Sequence, residues 1–167
     1  MADILIRPAQ PGDGAAMSAY VSRLVAEKLD TILLNHEISP EEEDAVIARF
    51  AADDRSVFLL AFDADRVVGM LDIRGHDHPA KRHWGSFGMS VDRDWRGRGV
   101  GRRLLERGIE IARGWPGYCR LELGVTPWNT GAIALYESLS FVHEGIKRKG
   151  INLRGAPEDD LLMALVW

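Results

Sequence analysis

Apolar and polar positions along the chain switch between a two-residue and a helical period, and the switches mark out its elements. Ile4, Leu5 and Ile6, stopped by Arg7-Pro8 and the turn residues Pro11-Gly12-Asp13-Gly14, predict a first strand. A helical period follows from 15 to about 29, with Tyr20, Leu24 and Val25 on its buried side. Ser39-Pro40-Glu41-Glu42 combines a capping box with proline at the first helical position, and a second helix is expected to about 51. Residues 57–62 and 67–73 read as strands joined by a hairpin turn at Asp63-Ala64-Asp65-Arg66, and a polar loop fills 74–82. Phe87, Met89 and Val91 then alternate with smaller residues as a central strand, which Asp92-Arg93-Asp94-Trp95 carries into Arg96-Gly97-Arg98-Gly99-Val100-Gly101-Arg102-Arg103. A helix starts there, with Val100, Leu104, Leu105, Gly108, Ile111 and Ala112 in one apolar stripe. Trp115-Pro116-Gly117 stops it, and 120–125 reads as a strand parallel to the central one. A short helix over 129–138 and two strands, 141 to about 146 and 159–166, complete the pattern; the last is apolar enough to be buried on both faces. The expectation is a single α/β domain over residues 1–167, with no repeat and no dividing linker.

Between 86 and 111 the order strand, glycine-rich turn, helix builds an anion trap. Glycines let a ligand approach the backbone, and the first helical amides have no internal partner. The helix dipole adds partial positive charge, so phosphate is the natural guest. A phosphate loop of the nucleotide hydrolases needs Gly-Lys-Ser/Thr where Gly99 is followed by Val100-Gly101-Arg102. A dinucleotide fingerprint from Gly97 and Gly99 needs its third glycine where Arg102 stands. Arg96-x-x-Gly99-x-Gly101 instead resembles the R/Q-x-x-G-x-G/A pyrophosphate loop of the GNAT superfamily, the acyl-CoA-dependent N-acyltransferases. A second segment, from Asn129-Thr130-Gly131-Ala132 through Leu135-Tyr136 to Ser140-Phe141, resembles that family's N-x-x-A-x-x-L-Y-x-x-x-G-F, with Ser140 in place of the glycine in the helix-to-strand turn. The order of elements is also similar to the whole GNAT fold, a central mixed sheet of about seven strands flanked by about four helices, over nearly the entire chain.

The resemblance implies that acetyl-CoA is the cosubstrate, without a metal, and that its acetyl group passes to a primary amine of a small molecule or peptide by direct attack in a ternary complex. It places the pantetheine arm along the backbone of Met89 and Val91 and the cofactor's phosphates on the loop of Arg96, Gly97, Arg98, Gly99, Gly101 and Arg102, the amides from Gly97 to Arg102 holding the pyrophosphate and Arg98, Arg102 or Arg103 standing near the outer phosphates. Asn129 bonds the pantetheine arm, a role compatible with capping its own helix. Tyr136 becomes the acid for the departing thiolate, although a tyrosine at this helical spacing also fits core packing. For the general base, Glu122 on the parallel strand is a candidate, and equally an outward-facing strand residue; His83 and Trp84 are further candidates. The acceptor is expected between segment 29–38, with Asp30, His36 and Glu37, and segment 147–157, with Lys147, Arg148, Lys149 and Arg154. A non-catalytic acyl-CoA-binding or partner-binding module on the same fold is the alternative; Tyr136 and Asn129 favour the enzyme.

Composition trims this picture in three places. The net charge of -4 argues against a nucleic-acid binder held by bulk charge. Cys119 is the single cysteine, and His76-Asp77-His78 lacks a third ligand at metal-binding spacing, so neither a disulfide framework nor a zinc site is expected. No segment reaches the apolar length of a membrane span, and the cytoplasm is the expected compartment. The apolar last strand, ending in Trp167, offers a surface for a homodimer.

Overall fold

A computed structural model describes residues 4–29, 36–153 and 155–167. In chain order its elements are β1 (Leu5–Pro8), α1 (Gly14–Ala26), α2 (Pro40–Ala52), β2 (Val57–Asp63), β3 (Arg66–Gly75), β4 (Trp84–Val91), α3 (Val100–Arg113), β5 (Arg120–Val125), α4 (Thr130–Ser138), β6 (Val142–Asn152) and β7 (Pro157–Val166). The strands form one seven-stranded sheet in the order β1-β2-β3-β4-β5-β7-β6. Every neighbouring pair is antiparallel except β4 and β5, which α3 joins as a crossover.

The side-chain period of two gives the sheet a core on each face. Leu59, Leu71 and Ile73 meet Leu104, Leu105 and Ala112 of α3 on one face. Phe58, Leu60 and Phe62 meet Met17, Tyr20 and Leu24 of α1 and Ile47 of α2 on the other. Each such side chain contributes about 1.5–3 kcal/mol by leaving water. β2 is buried on both faces, and its hydrophobic run is near-continuous as a result.

One irregularity in the pairing creates the site. β3 and β4 stay in register from Gly75↔Gly85 to Gly69↔Val91. β5 and β7 stay in register from Arg120↔Val166 to Val125↔Leu161. Between them, β4 and β5 pair only at Trp84↔Arg120, Gly85↔Leu121 and Ser86↔Glu122. Beyond Ser86 the two parallel strands part.

Several details differ from the sequence reading. α1 ends at Ala26, three residues early, because Lys28 turns left-handed with φ 50°. β6 runs to Asn152, so Lys147, Arg148 and Lys149 lie on a strand and only a short connection remains before Pro157. Its length was hidden by an irregularity between Lys147 and Ile151, where Lys149 takes φ 54° and the alternation fails. β7 is buried at Asp160, Met163, Ala164 and Leu165 and not along its whole apolar run, and it lies between β5 and β6; the outer edges are β1 and β6. Ser140 adopts the left-handed conformation, φ 69°, that the family's glycine takes without strain. The turn closes through Ser140 N–H to Glu137 O at 2.9 Å and Phe141 N–H to Tyr136 O at 3.0 Å. Among the described residues no helix is long and apolar enough to cross a membrane.

Candidate active site

The start of α3, unlike those of α2 and α4, has no side-chain cap. α2 has a complete capping box between Ser39 and Glu42, and α4 is capped by the Asn129 side chain, which accepts from Ala132 N–H at 3.4 Å. α3 begins at Gly99, which has no side chain to cap it and sits at φ 83°; Gly97 before it sits at φ 70°. The first helical bond is Arg103 N–H to Gly99 O, 3.1 Å, and the amides ahead of it have no intrahelical acceptor. No acidic residue occupies the first turn.

This loop is braced from behind. Asp92, at the end of β4, accepts from Arg66 Nη2 at 2.7 Å, Arg23 Nε at 3.1 Å and the Asp94 amide at 3.4 Å. Burial alone raises the Asp92 carboxyl, but the hydrogen bonds from Arg66 and Arg23 outweigh it and hold it below the usual carboxylate range. Arg96 Nε donates to the Val91 carbonyl at 2.9 Å, and its Nη1 forms an ion pair with Glu27 at 2.8 Å. The side chain of Arg96 is thus engaged with the protein, and of Val91 it is the carbonyl that is occupied. Arg98 stacks on Trp95 with its guanidinium carbon 5.3 Å from the ring centre. Arg102 donates to Ser138 Oγ at 2.6 Å, and Arg103 donates to the Ile4 carbonyl at 2.8 Å.

Where β4 and β5 part, a cleft of about 730 Å³ opens through the sheet, a size suited to a small ligand. Met89, Val91, Arg96, Asn129 and Tyr136 line it together, which unites five of the residues picked from the sequence. Gly97, Arg98, Gly99, Gly101 and Arg102 follow Arg96 outside the cleft proper. A Cβ at Gly101 would lie 3.6 Å from Met89 Cε and Val91 Cγ2, so the first turn of α3 packs directly on the β4 side chains. Tyr136 is 9% exposed, edge-on to Phe87 at 5.7 Å, and burial pushes its hydroxyl up to about 12. It keeps its proton throughout the neutral range.

The opposite face of the cleft carries a residue the sequence reading passed over. Asp72, in the middle of β3, is 7% exposed and stands opposite Gly88 in the β3–β4 register. A Cβ at Gly88 would come within 3.1 Å of Asp72 Oδ1; glycine there leaves the carboxylate room to lie over β4. Arg74 Nε lies 2.9 Å from Asp72 Oδ2, yet burial dominates and pushes Asp72 up. The available signal was one carboxylate interrupting an otherwise apolar strand. Met70, Asp72 and Arg74 are shared with a second cavity of about 530 Å³ that runs under α1 and α2. Glu43 lines that cavity; it is buried, its Oε1 has no hydrogen-bond partner, and burial, then the neighbouring Glu42, raises its carboxyl.

Glu122 is placed otherwise. It pairs with Ser86 at the last joined position of β4 and β5 and does not line the cleft. Arg120 Nη2 donates to it at 3.0 Å, while Arg120 Nη1 donates to Glu144 at 2.7 Å. Trp84 packs against His76 at 4.0 Å, and the His83 carbonyl accepts from Cys119 N–H; none of these residues lines the cleft. Of the two acceptor segments, Leu29 and, on the other side, Ile151 and Leu153 line it. Asp30 and Arg154 lie outside the described residues. Among the described residues no three metal-binding side chains cluster.

Known proteins agree with this geometry. The model of the acetyltransferase (GNAT) family matches residues 25–141. The L-amino acid N-acetyltransferase AaaT of Escherichia coli (strain K12) is 30% identical over 99% of both chains. A ribosomal protein bS18-alanine N-acetyltransferase of Salmonella typhimurium is 42% identical over 47% of this chain and 53% of its own. The crystal structure of a GNAT-family acetyltransferase from Streptococcus pneumoniae superposes with a TM-score of 0.92 at 30% identity, covering 99% of this chain and 100% of that one. A putative acetyltransferase from Salmonella typhimurium, solved with its cofactor acetyl-CoA, shares the fold with a TM-score of 0.86 at 22% identity, covering 98% and 94%. With the family model over residues 25–141 and relatives similar over nearly its full length, the chain belongs to the GNAT family of acetyltransferases.

Proposed function

We propose that this acetyl-CoA-dependent N-acetyltransferase acts on the α-amine of a free amino acid or of a short peptide, by direct attack in a ternary complex. The observation that carries the reading is the cleft through the sheet, with Tyr136 on the α3–α4 face and Asp72 and Arg74 on the α1–α2 face. Donor and acceptor then enter from opposite faces and meet beside Met89. The full-length similarity to an L-amino acid N-acetyltransferase supports the acceptor class. Arg74, whose side chain is 67% exposed at the cleft, is suited to hold a carboxylate on that acceptor.

In this reading the free amides of residues 97–102 hold the pyrophosphate. The edge of β4 beyond Ser86 pairs with the pantetheine arm as a strand would, orienting the thioester with its carbonyl oxygen toward the Met89 amide. Asn129 caps α4 and steadies that arm. Tyr136 donates its hydroxyl hydrogen to the departing sulfur. A thiol ordinarily titrates near ~8.5, well below Tyr136, so proton transfer goes to completion only as the acylated nitrogen gives up its own proton. Cys119 lies away from the cleft and offers no covalent route. We assign the enzyme to the cytoplasm, which supplies acetyl-CoA and keeps Cys119 reduced, and a homodimer to the open edge of β6, where Val142 and Ile146 are exposed.

Thermal unfolding with and without acetyl-CoA, followed by thiol release against a panel of L-amino acids and N-terminal peptides, tests the reading. At a hundred times Kd, acetyl-CoA adds about 2.7 kcal/mol of stability. An unchanged transition with acetyl-CoA overturns the site; release with polyamines alone overturns the acceptor class.

A further inference from the structure

Several carboxylates stand near the parted strands, and their surroundings separate them. Glu122 is bonded by Arg120 and lies outside the cleft. Asp160, on β7, is buried against the Gly124 backbone and does not line the cleft either. Glu27 is ion-paired with Arg96 behind the phosphate loop. Asp72 is different: it lines both the cleft and the second cavity, and so stands at their junction. Its register partner is Gly88, one residue from Met89, so the carboxylate lies over the part of β4 that the thioester is proposed to follow. On that face β4 presents Trp84 at its start and then the small residues Ser86, Gly88 and Ser90, so nothing bulky intervenes beside Gly88. Ser90 is in turn held by the Tyr20 hydroxyl at 2.8 Å. Among the described residues, the charged groups that line the two cavities with Asp72 are Arg74 on its own strand, Arg96 after β4, Glu43, Arg49 and Asp53 on or just after α2, and Asp77 after β3.

We infer that Asp72 is the general base that deprotonates the acceptor amine, an inference that rests on the acceptor site proposed above. The acceptor arrives as an ammonium, and Asp72 takes one proton from it. The freed lone pair forms the C–N bond at the thioester carbonyl, and the C–S bond breaks as the tetrahedral centre collapses. The sulfur leaves with the proton of Tyr136, and the second amine proton restores Tyr136. Asp72 returns its proton to water, so one amide, one thiol and one proton result per turnover. The raised affinity of Asp72 for protons, caused by burial, matches such a base, because the group exchanges a proton nearer to neutrality than a surface aspartate does.

The test is the pH dependence of kcat/KM for Asp72→Asn against the native enzyme, with acetyl-CoA and the L-amino acid that releases thiol fastest. With the base present, the ammonium form reacts and kcat/KM is flat through the neutral range. Without it, only amine already deprotonated in solution reacts. The deficit should then be about 10²-fold near neutrality, within the range for general-base loss, and widen tenfold for each pH unit below the acceptor's own pKa. Thermal stabilisation by acetyl-CoA should equal that of the native enzyme. Asp72→Glu should restore part of the flat region, and Asp72→Ala should reproduce the slope if the asparagine variant folds poorly. A variant whose kcat/KM stays within twofold, or falls by one constant factor at every pH, overturns the assignment. A native enzyme that binds acetyl-CoA yet releases no thiol with any amine overturns the acceptor reading and the base with it; that outcome is told apart because it precedes any variant.

Discussion

In the proposed mechanism Tyr136 serves packing and chemistry at once. Its ring is held between Phe87 and Phe141, at 5.7 and 5.9 Å, and the same burial keeps its hydroxyl protonated to about 12. Tyr136→Phe preserves the ring contacts and removes only the hydroxyl. We expect kcat to fall about 10²-fold with little change in stability or in the acetyl-CoA thermal shift, measured by steady-state kinetics and thermal unfolding. A fall in stability of several degrees would assign the hydroxyl to the core instead. The sequence motif pointed to Tyr136 through its place in a recognisable segment. Asp72 had no such segment around it, and the role proposed for it rests on Gly88 on the neighbouring strand, a pairing that only the register reveals.

At the scale of the element, α3 starts without a side-chain cap, and in the proposed reading a phosphate takes that place. Gly99 at φ 83° costs a residue with a Cβ about 1–2 kcal/mol, and no protein atom lies within 4 Å of where that Cβ would be. Gly99→Val should therefore lower stability by about 1–2 kcal/mol and remove stabilisation by acetyl-CoA, since the new side chain projects into the phosphate site rather than into the fold. Retained stabilisation would place the pyrophosphate elsewhere. Local chemistry of this kind was legible in the sequence. The capping box of α2 is present with both bonds, Glu42 N–H to Ser39 Oγ at 3.3 Å and Ser39 N–H to Glu42 Oε2 at 2.9 Å, because it depends on residues three apart. The length of β6 was not legible. Its partner β7 holds it extended through an irregular register, and its own residues, Lys147-Arg148-Lys149-Gly150, read as a polar loop. The parting of β4 from β5 was expected only through the resemblance, because strand divergence leaves no local pattern.

Across the whole molecule, Asp92 joins parts far apart in sequence. It ties Arg23 of α1 and Arg66 at the β2–β3 hairpin to the turn that leads into the phosphate loop. Its carboxyl is held low in the fold, so the stabilisation is complete above the unfolded value near ~3.9 and disappears as pH falls through the folded one. Asp92→Asn should lower stability by about 1–3 kcal/mol at pH 7, the figure being modest because both arginines are partly exposed, and the gap to the native protein should close in acid. Denaturant unfolding at pH 7 and pH 3 checks this, and an equal gap at both would show that the ion pairs carry none of it. The same sheet also contains an edge in its middle. On an outer strand, the unpaired backbone of β4 would be open to any passing chain and would invite fibrils. Recessed between two strands that part after only three paired positions, it is reachable only through a slot. In the proposed reading the pantetheine arm, thin and without side chains, is what enters that slot. The gap between two parallel strands, which leaves a strand edge inside the sheet, thus sets how broad a ligand backbone can pair there.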